Sequence, residues 1–142
     1  MKKKKYRYLA EAHFDPELGN SYAIINTELG QFLGSAQCSS EDFAYCSKFF
    51  GCGLAEMRAN LKYWKLRRIR AKAALAAIKE TIIASHGTSN SFIWDIEAKY
   101  KKEVKTCNEA IDLLSKEIND SISEREKAMR LDKRRKEKLN KN

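Results

Sequence analysis

One uninterrupted helical pattern constrains this chain more than any other feature. It runs from Leu54 to Ser85 and contains neither glycine nor proline. Its apolar residues recur at spacings of three and four, which keeps them on one side of a helix. A helix of this length spans about 48 Å. The apolar seam consists of Leu54, Met57, Leu61, Trp64, Ala71, Leu75, Ile78 and Ile82.

A second helical pattern begins at Ser91, after a short polar stretch at residues 86–90, and continues to about Lys138. A short loop between two long helices predicts an antiparallel hairpin. Beyond Ile122 the apolar residues thin out, so both a solvated helical tail and a disordered basic tail are compatible with the sequence. The second seam consists of Phe92 or Ile93, Ile96, Tyr100, Val104, Cys107, Ile111, Leu114, Ile118 and Ile122.

The first 53 residues have a different character. Residues 6–14, 21–28 and 31–38 read as short strands, with Tyr22, Ile24 and Ile25 available for burial. Turn residues at 15–20 and 29–30 join these strands into an antiparallel meander. A short helix should follow from Asp42 to Phe50, with Gly51 to Gly53 ending it. Its aromatic residues are expected to fill the space between the sheet and the long helix.

These patterns together predict an α+β fold. A three-stranded antiparallel meander and a short helix (residues 1–53) pack on a long antiparallel helical hairpin with a basic C-terminal tail (residues 54–142). The two parts form one compact unit, because a small sheet needs a helix on one face to be stable. We also expect a circular dichroism spectrum with more than half of the residues helical.

Charge is the main functional signal. The net charge is +9, and the basic residues are concentrated in three segments, 2–7, 58–72 and 125–141. Such an excess suits a polyanion or an acidic face of a partner protein. A solvated charged surface with no partner is the alternative explanation.

The sequence shows little sign of a metal site, a catalytic site or a membrane span. The four cysteines contain no CxxC pair and the chain has two histidines, so no metal or other cofactor is expected, and buried free thiols in a reducing cytoplasm are favoured. No glycine-rich stretch matches a phosphate-binding loop, and no catalytic set is evident, so we do not expect an enzyme. No segment has the length and apolarity of a membrane span. We therefore expect a cytoplasmic protein.

The candidate binding residues lie mainly on the first long helix. Arg58, Lys62, Lys65 and Lys72 share one flank of the seam, whereas Arg67, Arg70 and Tyr63 lie nearer the opposite side. Tyr63 is the candidate for stacking on a base, and Trp64 is expected in the core. The basic tail adds further candidates. The predicted binding set is Arg58, Lys62, Tyr63, Lys65, Arg67, Arg70, Lys72, Arg130, Arg134 and Arg135.

Arg68 occupies a seam position where an apolar residue would be expected. Antiparallel pairing about the loop places residues near 108 opposite it. Glu109 and Asp112 are therefore the expected acidic partners, with Glu103 a poorer one. A structural ion pair is favoured over a role in recognition, because an unpaired cation would be costly to bury there.

One part of the chain carries a resemblance to known proteins. Residues 34–42 read GSAQCSSED, and residues 53–59 read GLAEMRA, with Ser47 between them. This arrangement resembles a small family of phage and prophage proteins that share G-x-A-x-C-x-x-E-D and a G-[LI]-A-x-x-R-A helix start. The resemblance covers about residues 20–65. It implies a bacterial host context and brings no established activity.

Three functions follow as hypotheses. The first is a phage-type protein that binds and inhibits a host nuclease or nucleoprotein complex, with a CRISPR effector nuclease as the leading candidate; anti-CRISPR proteins act in this way. The second is a protein that binds DNA or RNA directly and without sequence preference. The third is a homodimeric assembly protein that self-associates through a milder apolar strip formed by Leu66, Ile69, Ala73 and Ala76.

Overall fold

A computed structural model describes residues 6–38, 47–84 and 91–141. The strands are β1 (Ala10–Asp15), β2 (Asn20–Thr27) and β3 (Gly30–Gln37), and the helices are α1 (Lys48–Ala84) and α2 (Ser91–Asn140). The helices comprise 37 and 50 of the 142 residues, so more than half of the chain is helical. The α+β architecture predicted from the sequence is therefore confirmed. Within the described ranges, neither helix is apolar over a stretch long enough to cross a membrane.

The sheet is an antiparallel meander in the order β1-β2-β3, with β2 in the centre. Gly19 and Gly30 have φ values of 67° and 113°, so each supplies the left-handed conformation that a tight turn requires. Strand alternation directs Ser21, Ala23 and Ile25 of β2 to the buried face. Tyr22 consequently lies on the exposed face, so the prediction of its burial is wrong.

Residues 6–9 do not extend β1, although the sequence predicted a strand from Tyr6. The side chain of the fully buried Asn60 accepts a hydrogen bond from the Tyr8 amide at 2.7 Å and donates one to the Tyr8 carbonyl at 3.2 Å. The indole of Trp64 donates to the Tyr6 carbonyl at 2.9 Å. Arg7 forms an ion pair with Glu117 of α2. This segment therefore crosses the hairpin and is bonded to both helices.

Helix α1 begins earlier than the sequence predicted. Ser47 caps it, since the Ser47 hydroxyl accepts a hydrogen bond from the Phe50 amide at 3.2 Å. The helix continues through Gly51 and Gly53, so the predicted break there, and the domain boundary at residue 53, fall inside α1. A Cβ at Gly51 would lie 2.2 Å from the Ser21 hydroxyl, so glycine serves close packing here. Most of the predicted short helix, residues 42–46, lies outside the described residues.

The core has two adjoining parts, both on the first half of α1. One combines Ile25 with Tyr63 and Trp64 of α1 and Cys107 and Leu114 of α2. The other combines Ala23 and Ala36 of the sheet with Leu54, Ala55 and Ile118 of the helices. From the first part to the second, residue numbers fall along α1 and rise along α2, so the helices are antiparallel as predicted. The sheet thus covers only the first half of α1.

Candidate interaction surface

The structure divides the predicted basic residues into those that hold the fold together and those that are open to solvent. Arg58 donates to the Ser35 carbonyl at 2.9 Å, and Lys62 donates to the Leu33 carbonyl at 2.7 Å. Both carbonyls belong to β3, which is an edge strand of the sheet among the residues that the structure describes. These two cations therefore fasten the sheet edge to α1. Arg58 is half-buried and Lys62 is exposed, and each has already used one of its hydrogen-bond donors within the protein.

Arg67 is half-buried and lies between the two helices. It forms an ion pair with Glu103 of α2 and donates to the Tyr63 hydroxyl at 3.0 Å. Its guanidinium lies 4.9 Å from the centre of the Trp64 ring, within cation–π distance. Burial opposes the charged form, yet the hydrogen bond to Glu103 and the neighbouring Tyr63 raise the pKa of Arg67 above its ordinary value. Arg67 is therefore a structural cation that connects the two helices.

Tyr63 is fully buried, so the prediction that it is an exposed stacking residue is wrong. Its ring makes edge-to-face contacts with Tyr8, Phe32 and Trp64 at centroid distances of 4.9, 5.7 and 5.1 Å. Its hydroxyl donates to the carboxylate of Glu28. Burial and this bond to an anion raise the pKa of Tyr63 well above the ordinary value. The sequence does not reveal this burial because the sheet packs on that face of α1 only in the folded protein. Trp64, by contrast, is in the core as predicted.

Glu28 was not among the residues predicted from the sequence, yet its carboxylate accepts hydrogen bonds from two tyrosines. One of these bonds comes from the Tyr8 hydroxyl at 2.7 Å. The hydrogen bond from Tyr63 lowers the pKa of Glu28, and burial opposes that effect only in part. The pKa of Tyr8 is raised, chiefly by burial. Glu28 therefore joins the β2–β3 turn to the N-terminal segment and to α1 as an ionised acceptor.

Arg68 confirms the predicted helix register and corrects the predicted partner. It donates a hydrogen bond to the side-chain amide oxygen of Asn108 at 3.1 Å. Residue 108 is the position expected opposite residue 68. Glu109 and Asp112 lie one and four residues further on, and both are exposed. Glu103 is engaged with Arg67. The prediction of an acidic partner for Arg68 is therefore wrong, because α2 presents an amide at that point.

Beyond the sheet, one face of α1 is open to solvent. At 100° per residue, every third or fourth residue from Lys65 onward falls within an arc of about 80°. All of these residues are exposed, and Ile69 and Ile83 expose 63% and 75% of their surface. We call this face the Lys/Ile stripe. Its members are Lys65, Ile69, Lys72, Ala76, Lys79 and Ile83.

The remaining predicted binding residues are also at the surface. Arg70 is exposed on another side of α1. Arg130, Arg134 and Arg135 are exposed on the last turns of α2, which reach past the beginning of α1. The tail is thus helical to Asn140, one of the two alternatives that the sequence left open. Of the strip proposed for self-association, Leu66 is half-buried, whereas Ile69, Ala73 and Ala76 are exposed.

The described strand and helix residues of the motif behind the phage-family resemblance, 34–37 and 53–59, lie where β3 packs on α1. A Cβ at Gly34 would lie 1.9 Å from the Ala55 carbonyl oxygen and 2.5 Å from the Ala59 nitrogen. Ala36, Ala55 and Ala59 are buried in the same joint. Arg58, also in the motif, donates a hydrogen bond to the carbonyl of Ser35, the residue between Gly34 and Ala36. These motif positions therefore permit a strand and a helix to approach closely.

The cysteines depart in part from expectation. Cys107 is a buried free thiol, and burial raises its pKa. Cys52 is a half-buried free thiol. Cys38, however, is disulfide-bonded, so the prediction of free thiols is wrong for that residue. Among residues 6–38, 47–84 and 91–141, no three histidine, cysteine or acidic side chains are grouped so that they could hold a metal ion.

Comparison with known proteins yields one partial match. The family model of the PRD domain matches residues 71–129, which is fewer than half of the residues and lies entirely within the helical hairpin. No curated protein matches the chain. No solved structure matches it. The matched range excludes the sheet and includes four of the six members of the Lys/Ile stripe, Lys72, Ala76, Lys79 and Ile83.

Proposed function

We propose that this chain is a non-enzymatic, phage-type protein that binds a host nucleic-acid-handling complex and inhibits it, with a CRISPR effector nuclease as the first candidate. The observation that supports the proposal most directly is the Lys/Ile stripe. It offers three exposed lysines, Lys65, Lys72 and Lys79, on a helix face that the sheet does not cover. The phage context comes from the motif at residues 34–59. No part of the proposal needs a catalytic group.

The charge distribution supports binding to an acidic target. A net charge of +9 attracts a polyanion or an acidic protein surface over a distance set by the salt concentration. Because Arg58, Lys62 and Arg67 already bond within the protein, the exposed lysines of the stripe are better placed to meet a partner. We therefore assign the main contact to the stripe and a secondary one to Arg130, Arg134 and Arg135.

The test is a binding and cleavage assay on a panel of purified CRISPR effector nucleases with their guides. The wild-type chain should co-purify with at least one member and reduce target cleavage. A triple variant, Lys65→Glu with Lys72→Glu and Lys79→Glu, should lose that inhibition while keeping its circular dichroism spectrum. Absence of binding and inhibition across the whole panel would count against the proposal.

Direct binding to DNA or RNA is the second candidate, favoured by the exposed basic end of α2. Arg130, Arg134 and Arg135 lie close together there, on turns that project past α1. Contacts with phosphates would make the affinity fall steeply as salt rises. Fluorescence anisotropy with a labelled duplex at physiological salt tests this candidate. Retention of the duplex by wild type, and its loss in Arg130→Glu with Arg134→Glu and Arg135→Glu, is the expected result.

A further inference from the structure

The Lys/Ile stripe has a regular order that a simple basic surface lacks. Its lysines recur every seven residues at 65, 72 and 79, and its apolar residues recur every seven at 69, 76 and 83. The alternating spacings of four and three are those of a coiled-coil seam. The stripe extends over about 27 Å of helix. The middle of the stripe lies about 100° around α1 from the seam residues Trp64, Ala71 and Leu75. All six members of the stripe are exposed, so the contact with α2 leaves them open to a partner.

We infer that the Lys/Ile stripe docks an amphipathic helix of a partner protein, with apolar residues at heptad spacing and flanking carboxylates. This inference rests on the proposed function for its choice of contact face, and it adds the class of element that is recognised. The apolar members pack against the apolar seam of the partner helix. The lysines pair with its carboxylates, which sets the register and orientation of the two helices.

Nucleic acid explains this surface less well. Phosphates would neutralise Lys65, Lys72 and Lys79, but the side chains of Ile69 and Ile83 would gain nothing from contact with a sugar–phosphate backbone. Large apolar residues at regular spacing on a helix are typical of helix-to-helix docking. A second copy of the same stripe is also a poor partner, because each seam would bring three lysines and no acidic residue to neutralise them.

The probe for this test is a synthetic peptide of three heptads. In every heptad, leucine occupies one of the two seam positions, and glutamate occupies the other seam position and the position next to it. A peptide of the same composition in scrambled order is its control. Binding is measured by fluorescence anisotropy of the labelled peptides on the full chain. The heptad peptide should bind, and the scrambled peptide should bind at least about tenfold more weakly, because it offers no continuous apolar seam.

Three variants separate the contribution of the apolar contacts to peptide binding from that of the lysines. Ile69→Ser with Ile83→Ser should weaken peptide binding by about tenfold, since the apolar contacts are lost. Lys65→Glu with Lys72→Glu and Lys79→Glu should weaken it at least as much. The matched control is Arg130→Glu with Arg134→Glu and Arg135→Glu. It changes the net charge by as much as the lysine variant does, and it should retain binding within about twofold. All the replaced side chains are exposed, so circular dichroism should confirm an unchanged fold.

Several results would overturn the inference. One is equal binding of the heptad and scrambled peptides, and another is equal loss in the stripe and tail variants. Duplex DNA binding that depends on the three lysines but not on Ile69 and Ile83, without peptide binding, would make the stripe a polyanion site. Self-association in sedimentation that the stripe variants abolish, without peptide binding, would make a second copy the occupant.

The inference and the proposed function fail separately. If the heptad peptide binds the stripe but no nuclease in the panel is inhibited, the docking surface stands and the proposed target is wrong. If a nuclease is inhibited equally by wild type and by the Ile69→Ser with Ile83→Ser variant, the proposed function stands and the helix-docking inference is overturned.

Discussion

At the scale of single residues, Gly34 is the position with least room. Its backbone lies against the Ala55 carbonyl, where an added Cβ would be only 1.9 Å from the oxygen. Neither partner atom can move independently, because both belong to the backbone of regular elements. This contact explains why a glycine stands in the middle of β3, where glycine otherwise weakens a strand.

We predict that Gly34→Ala destabilises the protein by about 3 kcal/mol, since strand and helix must separate to admit the methyl group. Urea unfolding monitored by circular dichroism measures the change. Gly53→Ala is the matched control, because a Cβ there meets nothing within 4 Å and glycine is unfavourable inside a helix. That variant should be more stable than wild type by about 1 kcal/mol. Equal stability of the two variants would contradict the close-contact explanation.

At the scale of the helices, the hairpin is fastened by a few polar contacts placed among small apolar residues. Arg67 pairs with Glu103, and Arg68 bonds Asn108. Ala71, Cys107 and Ala110 are buried nearby. Residues of this size bring the helices close together, and the arginines fix their relative position along the axis.

We predict that Arg67→Ala lowers the free energy of unfolding by about 2 kcal/mol, because Glu103 and the Tyr63 hydroxyl lose a charged partner. Arg70→Ala, which removes an exposed cation three residues away on the same helix, should change it by less than about 0.5 kcal/mol. Chemical denaturation of both variants makes the comparison. A larger loss in Arg70→Ala would mean that the division into structural and exposed cations is incorrect.

At the scale of the whole molecule, the Glu28 carboxylate connects parts of the chain that are far apart in sequence. It accepts hydrogen bonds from Tyr8 and Tyr63, and Tyr63 is in turn bonded by Arg67, the partner of Glu103 on α2. The N-terminal segment, the sheet and both helices therefore meet at one polar cluster. Its charge balance should influence the stability of the entire fold.

We predict that part of the acid sensitivity of the protein comes from Glu28. Since folding lowers the pKa of Glu28 below its ordinary value of 4.5, its stabilisation is complete above that pH and is lost as the pH falls through the folded-state pKa. Glu28→Gln should therefore be less stable than wild type at pH 7, and the difference should shrink as the solution is acidified. Urea unfolding across that pH range measures it, with Glu17→Gln, an exposed turn residue, as the control. A difference that does not change with pH would exclude this role.

Several features were determined by the sequence alone, because their signals are local. Apolar spacing along Leu54–Ser85 and Ser91–Ile122 defined the two helices, and the short connection made them antiparallel. Turn residues around Gly19 and Gly30 defined the meander. The same reasoning placed position 108 opposite Arg68, because helices joined by a short loop pair at equal distances from it.

Other features were decided only by tertiary structure. Gly51 and Gly53 look like a helix end, yet α1 passes through both, and Gly51 lies against the side chain of Ser21 of the sheet. Tyr63 looks exposed on a helical projection, yet it is buried because the sheet covers that side of α1. Arg58, Lys62 and Arg67 cannot be told from Lys65 and Lys72 by charge or spacing. The difference arises because folding brings carbonyls of an edge strand within bonding distance of Arg58 and Lys62, and a glutamate of α2 within bonding distance of Arg67.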